Sequence, residues 1–191
     1  MAKQLPADIQ AILSATDAGF HATTVKLVTD YLEQNPTSQR GWIDLGRALV
    51  ELCRYGEAKD AFQKAIDLET QGPADGIFGE IGHLYRAQGK FEEAIVWYQK
   101  QSNADPEDAT GLIFAGNLRR LEGDHETAIE LLTRATECQR GCFEEVHYSL
   151  GLALMSAGKY FDAKRQFEKA IELDPKFHAA KVALKDVKPL V

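Results

Sequence analysis

The sequence predicts an all-α fold, an α-solenoid of about five antiparallel helix pairs that ends in a C-terminal capping helix. Three observations predict it. A glycine recurs at a nearly constant interval, small and aromatic residues recur at fixed distances after it, and Asx-Pro pairs separate several of the copies. Self-similarity at an interval of roughly 20 to 50 residues is typical of stacked repeats, because each copy buries its apolar face only against its neighbours.

Each copy is marked by a glycine within its first helix, and the steps between these glycines are 36, 34 and 35 residues: Gly46, Gly82, Gly116 and Gly151. An alanine follows twelve residues after each marker: Ala58, Ala94, Ala128 and Ala163. A large apolar residue follows four residues later: Phe62, Tyr98, Leu132 and Phe167. Since glycine and alanine are small, the two helices of a pair can approach closely where they cross.

A second glycine, seven residues after the marker, is expected to end the first helix of each pair: Gly89, Gly123 and Gly158. Glycine enters the left-handed cap conformation without a steric penalty. Cys53 stands at this place in the first marked copy and is interpreted as a small core residue. The residue nine after the marker is a ring, expected to fill the space between one pair and the next: Tyr55, Phe91, His125 and Tyr160.

Proline punctuates the joints between copies, because it cannot continue a helix and restricts the residue before it. The pairs are Asn35-Pro36, Asp105-Pro106 and Asp174-Pro175, whereas Arg140 stands at the joint of the third marked copy. The predicted helices span residues 39–52, 55–69, 74–88, 91–104, 108–122, 125–138, 143–156 and 160–173.

The segment Trp42-x-x-Leu45-Gly46, followed by Ala58, Phe62 and Ala65, resembles the signature of the tetratricopeptide repeat. The later copies resemble it with conservative changes at Ile81-Gly82, Ala115-Gly116 and Leu150-Gly151. The resemblance implies a right-handed superhelix of helix pairs with a concave groove, which in this family commonly holds a peptide of a partner protein.

We expect a single solenoid domain over residues 1–191. Its predicted parts are a degenerate first repeat at 5–38, repeats at 39–72, 75–108, 109–142 and 144–177, and a capping helix at 176–187. The first repeat is degenerate because Ile12 stands at the place of the marker glycine and Thr24 at that of the alanine. Terminal repeats are expected to be atypical, since one face meets water.

The formal net charge of −7 makes nucleic acid a poor partner, because an acidic protein repels a phosphate backbone. No apolar stretch approaches the roughly 20 residues of a membrane helix, and no secretory signal is visible, so we expect a cytoplasmic protein. The three cysteines do not form a disulfide pattern. We expect no cofactor, no metal and no catalysis, since no phosphate loop, nucleophile elbow or paired metal-binding motif occurs.

The groove positions can be projected from the marker glycine, at three and two residues before it and one and four residues after it. The candidate partner-binding residues obtained in this way are Asp44, Arg47, Glu80, His83, Arg86, Phe114, Asn117, Arg120, Tyr148, Leu152 and Met155. The N-terminal part of this track is net basic and its C-terminal end is apolar and aromatic, so the expected partner is a peptide with acidic and apolar anchors.

The sequence therefore predicts a protein–protein interaction module, an adaptor or scaffold. Other interpretations stay open: the charged positions can be an ordinary solvated face, and the apolar end can be covered by the chain's own C-terminal helix. A self-assembling homo-oligomer or a carrier of a secretion or assembly substrate would also fit.

Some tetratricopeptide domains clamp the C-terminal carboxylates of chaperone tails with lysines, asparagines and an arginine. The corresponding places here hold Ile43, Arg47, Glu80, Thr110 and Phe114, or, one copy later, Gly79, His83, Phe114, Glu145 and Ser149. Because glutamates at these places repel a carboxylate, we expect no clamp of that type.

Overall fold

The structure is a computed structural model that describes residues 7–68 and 76–191. It is all-α: apart from one isolated bridge between Asp108 and Arg140, the described residues contain no strand. The described residues form eleven α-helices: α1 (Ala7–Asp17), α2 (His21–Gln34), α3 (Gln39–Glu51), α4 (Tyr55–Asp67), α5 (Ile77–Ala87), α6 (Phe91–Ala104), α7 (Thr110–Leu121), α8 (His125–Ala135), α9 (Phe143–Ser156), α10 (Tyr160–Leu173) and α11 (His178–Val187). A short 3-10 turn, Lys188–Leu190, follows α11.

The chain divides into two compact units, Met1–Ala94 and Ile95–Val191, and the division falls within α6. In the first unit, α1 packs on α2, α2 on α3, α3 on α4, and α5 on both α3 and α4. In the second unit, α7 packs on α8, α8 on α9, α9 on α10 and α10 on α11. Both units are thus stacks of antiparallel helix pairs, the solenoid architecture predicted.

The predicted start of the first repeat at residue 5 and the boundary between the repeats at 39–72 and 75–108 lie outside the described residues. Helix α5 begins at Ile77, after Gly76 in a left-handed conformation (φ 83°). Its predicted start at residue 74 lies outside the described residues. No helix in the described part of the chain is long and apolar enough to cross a membrane.

Three of the marker glycines, Gly46, Gly116 and Gly151, lie against the large apolar residue of the partner helix. A Cβ placed on Gly46 would lie 2.7 Å from Cδ1 of Phe62, and one on Gly116 would lie 2.7 Å from Cγ of Leu132. Gly151 has the same relation to Cδ1 of Phe167, also at 2.7 Å. The alanines twelve residues after the markers are completely buried. Close approach of the two helices therefore depends on these small residues, as the pattern predicted.

The turns within the pairs adopt the left-handed conformation at each predicted position, and Gly19 of the first pair shares it: Gly19 (φ 71°), Gly89 (φ 72°), Gly123 (φ 86°) and Gly158 (φ 74°). Cys53 has a φ of 57° and its side chain is exposed, so its interpretation as a core residue is wrong. Cys53 thus adopts the left-handed backbone conformation of the turn glycines, at a steric cost.

The rings nine residues after the markers lie at the first residue of the second helix and are only partly buried. Phe91 and Tyr160 are exposed, and Tyr55 donates a hydrogen bond of 3.2 Å from its hydroxyl to the carbonyl of Ala87 in α5. The expectation that these rings fill the space between pairs is therefore correct only in part, since they border that space.

Arg140 ties two successive joints of the second unit together. One nitrogen of its guanidinium, Nη2, donates to both carboxylate oxygens of Asp105. Its backbone N–H donates to the carbonyl of Glu107, and its carbonyl accepts from the N–H of Ala109. Because the chain turns to make these bonds, α8 ends at Ala135, three residues earlier than predicted.

Helix α11 covers the last pair with Ala180, Ala183 and Val187, all buried. Its opposite face is charged, and Lys185 stands one repeat after Gly151 with its side chain exposed. The capping role expected for this helix stays a prediction.

Candidate partner-binding cavity

The first unit contains a cavity of about 530 Å³, called here the groove cavity. It is bordered by the first helices of three successive pairs, α1, α3 and α5, and by the start of α2. Its lining residues are Ile12, Leu13, Thr16, Asp17, His21, Thr24, Arg40, Asp44, Arg47, Ala48, Val50, Glu51, Glu80, His83, Arg86 and Ala87.

The apolar part of the lining comes from all three helices: Ile12, Leu13, Ala48, Val50 and Ala87. Ile12 and Ala48 are buried, whereas 41% of Leu13 is exposed, a large fraction for a leucine beside a cavity. Binding pockets typically combine such apolar walls with a few placed polar groups. This surface can therefore hold one apolar side chain of a ligand.

A chain of ion pairs crosses the cavity wall from α3 to α5. The Nε of Arg40 donates to both carboxylate oxygens of Asp44 at 3.0 Å, and Asp44 also pairs with Arg47 at 3.4 Å. Arg47 in turn donates to Glu80 of the next pair, and this bond raises the pKa of the arginine. Arg40 and Arg47 are therefore already neutralised by protein carboxylates, and a ligand would have to compete for them.

The charges of the groove cavity are nearly balanced, with three arginines against four carboxylates. This corrects the expectation of a net basic track for the N-terminal part of the groove. Arg86 is exposed and forms no ion pair with a described residue. It is thus the arginine of the cavity that is available to an anionic group.

His83 lies on α5 between Glu80 and Arg86 and is half-buried. Burial lowers the pKa of its imidazole, Arg86 and Arg47 lower it further, and Glu80 opposes them. At neutral pH the ring is therefore uncharged and adds no net charge to the cavity.

Five of the predicted site residues line the groove cavity, brought together from α3 and α5: Asp44, Arg47, Glu80, His83 and Arg86. Sequence reasoning missed Arg40 and Glu51, which lie one helical turn before Asp44 and one turn after Arg47. It also missed Leu13 and Thr16 of α1. The projection used for the other copies, started from Ile12, would have found both, because they stand one and four residues after it.

The projected position three residues before the marker glycine is occupied by Ile43, Gly79, Ile113 and Tyr148. The first three are buried, whereas Tyr148 is half-buried. A role of this position in partner binding stays a prediction.

The predicted site residues of the second unit are largely engaged in its own packing. The ring of Phe114 lies 5.1 Å from that of Tyr98, and Asn117 donates a 3.1 Å hydrogen bond from its amide to the hydroxyl of Ser149. Arg120 is partly buried, and its Nε has no hydrogen-bond partner among the described residues.

The predicted apolar patch of the second unit is partly covered by the C-terminal segment. The ring of Tyr148 lies 5.1 Å from that of Phe177, the residue that precedes α11. Leu152 and Met155 pack against a buried cluster that includes Ala183 and Val187 of α11. These contacts agree with the alternative interpretation, in which the C-terminal helix of the chain covers this patch.

Family models of the tetratricopeptide repeat match residues 39–71, 76–108 and 144–177, which together make up just over half of the chain. The matched segments contain α3 to α6 and α9 to α10. They include the pair in which Gly46 packs against Phe62 and the pair in which Gly151 packs against Phe167. The chain belongs to the tetratricopeptide repeat family. Repeats of this family are interaction modules, and the fold by itself leaves the ligand open.

RNA polymerase II-associated protein 3 of Mus musculus is 28% identical over 149 residues, which cover 70% of this chain and 21% of that protein. The chain spans between 13% and 36% of the length of the curated relatives it matches. The likeness therefore concerns the repeat region and not the whole of those proteins.

Two solved structures illustrate what similar folds bind. The crystal structure of YrrB, described as a tetratricopeptide repeat protein with an unusual peptide-binding site, matches with a TM-score of 0.63 and 20% identity, over 93% of this chain and 90% of that one. The first such domain of Spaghetti (RPAP3), bound to the HSP90 peptide SRMEEVD, matches with a TM-score of 0.57 and 22% identity, over 63% of this chain and 94% of that one. At these identities the likeness concerns the fold.

Proposed function

We propose that the chain is a protein–protein interaction module that binds a segment of a partner protein in the groove cavity. An apolar side chain of the segment contacts Leu13, Ala48 and Val50, and an acidic side chain pairs with Arg86. The observation that carries this proposal is the cavity itself, because it combines a half-exposed leucine, an apolar wall and an available arginine. Arginine is enriched among the residues that carry most of the binding energy at interfaces.

The groove cavity is not suited to a strongly acidic tail such as SRMEEVD. Four carboxylates line it, and two of its three arginines are already paired with Asp44 and Glu80. A segment with several acidic residues would meet more repulsion than attraction. We therefore propose a partner that is different from the chaperone tail bound by the structural neighbour.

Selection from a displayed random-peptide library on the intact chain tests the proposal. We expect peptides with an apolar residue near an acidic one, and weak or no binding of SRMEEVD. In fluorescence polarisation, Thr16→Trp should lower the affinity of a selected peptide at least about tenfold, equivalent to about 1.4 kcal/mol, because the indole fills the cavity. Ser14→Trp, on the same helix but outside the lining, is the matched control.

Arg86→Ala should weaken the same peptide, and Arg165→Ala, an exposed arginine of the second unit, should not. If peptides are selected but bind Thr16→Trp as tightly as the unmodified chain, the site lies elsewhere. Light scattering separates this function from self-assembly: a monomer at micromolar concentration agrees with the proposal, whereas a stable oligomer would favour the structural alternative.

A further inference from the structure

The last residues of α1 and α3, Asp17 and Glu51, both line the groove cavity. Both are exposed, and neither forms an ion pair with a described residue. An acidic residue at the C-terminal end of a helix is unfavourable, because the end carries partial negative charge from the unpaired carbonyl groups. Each carboxylate thus adds negative charge where the helix is already negative.

The neighbouring helices show the opposite arrangement. The last turn of α5 contains Arg86 and that of α7 contains Arg119 and Arg120, so these ends carry the cations that the helix dipole favours. Helices α1 and α3 contain no basic residue in their last turns. Along the cavity, the ends of α1 and α3 are therefore negative, and the end of α5 is positive.

From this we infer that the partner segment carries a basic residue, Lys or Arg, that lies over the ends of α1 and α3 while its acidic residue lies over the end of α5. The inference rests on the proposed function, since it names the chemistry of the segment bound in that cavity. A cation placed there is attracted by Asp17, by Glu51 and by the carbonyl groups of two helix ends.

The apolar residues fix where this segment lies relative to the charges. Leu13 precedes Asp17 by one helical turn on α1, and Ala48 precedes Glu51 by three residues on α3. On a helix, residues three or four apart share a face. An apolar side chain on Leu13 and Ala48 therefore brings a basic residue close to it in sequence within reach of both carboxylates.

This arrangement also means that the cavity selects partner segments by charges of both signs. The paired network of Arg40, Asp44, Arg47 and Glu80 is internally neutral, so the available charges are Arg86 on one side and Asp17 with Glu51 on the other. A purely acidic segment is repelled at the ends of α1 and α3, and a purely basic one is repelled at Arg86. A segment with both signs around an apolar residue satisfies all three groups.

The test compares peptide selections on three intact proteins: the unmodified chain, the double variant Asp17→Asn with Glu51→Gln, and the control Asp30→Asn with Glu33→Gln. The control removes the same two charges from exposed positions of α2 outside the cavity. We expect the unmodified chain and the control to enrich peptides with Lys or Arg near an apolar residue. The cavity variant should still enrich apolar peptides but lose the preference for Lys or Arg.

A selected peptide then gives the size of the effect. Replacing its basic residue by alanine should lower affinity for the unmodified chain about fivefold, the upper range for an exposed ion pair. The same replacement should change affinity for the cavity variant by less than about twofold, and added salt should narrow the difference between the two proteins.

The failures are distinguishable. If peptides are enriched and bind the Thr16→Trp variant more weakly, but contain no preferred basic residue, the inference is wrong and the proposed binding in the groove cavity stands. If the basic preference persists in the cavity variant, Asp17 and Glu51 are not its cause. If no peptide is enriched, or if Thr16→Trp does not affect binding, the proposed function itself fails.

Discussion

Arg47 of α3 donates a hydrogen bond to Glu80 of α5, which lies 33 residues later and in the next helix pair. The two side chains are 41% and 17% exposed, and they join neighbouring repeats across the wall of the groove cavity. The same arginine also contacts Asp44 of its own helix. Arg47, which is predicted to bind a ligand, thus also has a structural role.

Removing this pair should weaken the coupling between the two repeats. We expect Arg47→Ala and Glu80→Gln to show a coupling free energy of about 0.5–1 kcal/mol in a double-mutant cycle, because both groups keep partial contact with water. Urea denaturation of the four proteins measures it. Additive effects of the two substitutions would mean that the pair does not stabilise the stack.

Enlarging a marker glycine should be costly. Gly46→Ala places a Cβ 2.7 Å from Cδ1 of Phe62, so the two helices of the pair must separate or the ring must move. We expect a loss of about 1–3 kcal/mol in the free energy of unfolding.

The double variant Gly46→Ala with Phe62→Leu should recover part of that loss, because the smaller side chain leaves room for the methyl group. Gly56→Ala is a suitable control, since a Cβ there meets no atom within 4 Å. An equal cost at Gly46 and Gly56 would contradict the role of close helix packing.

Replacing Cys53 with glycine should stabilise the protein. A non-glycine residue in the left-handed region is strained by about 1–2 kcal/mol, and glycine costs roughly 0.5–1 kcal/mol in backbone entropy. The expected gain is therefore about 0.5–1 kcal/mol. Thermal and urea unfolding measure it, with Cys142→Gly, at an exposed cysteine outside the left-handed region, as the control.

Acid should destabilise the fold partly through His83. Because burial lowers its pKa, the folded state binds fewer protons than the unfolded state below the ordinary histidine value of about 6.5. The stability this neutral ring contributes is present above that value and is lost as the pH falls through it. Urea midpoints should therefore fall between about pH 7.5 and pH 5.5, and less steeply for His83→Gln than for the unmodified protein. Equal slopes for the two proteins would contradict this role of His83.

The fold could be predicted from the sequence because its determinants are local and periodic. Gly116 and Leu132 meet because helical geometry places residues of fixed spacing at the crossing of two antiparallel helices. The same periodicity placed Arg47 and Glu80 on one face of their helices. Arg140 shows where prediction from the sequence ends. Its position indicates only that the joint lacks a proline. Its structural role depends on the ion pair with Asp105 of the previous joint, which the spacing of residues does not predict.

The candidate site was less predictable for a related reason. Groove positions follow from the repeat, but which charges stay available depends on pairing between side chains of different repeats. The neutralisation of Arg47 by Glu80 and the availability of Arg86 require the distances between α3 and α5. In the second unit, contact of Tyr148 with Phe177 depends on how the segment before α11 lies, which composition and periodicity do not define.

The most direct test of the account is to map where a selected peptide binds the intact chain, by two-dimensional NMR of the backbone amides during titration. We predict that the largest shift changes occur at residues 12–17 of α1, 44–51 of α3 and 80–87 of α5, with Thr16→Trp abolishing them. Shift changes confined to the second unit, or to α4 and the C-terminal part of α2, would contradict the groove cavity as the binding site.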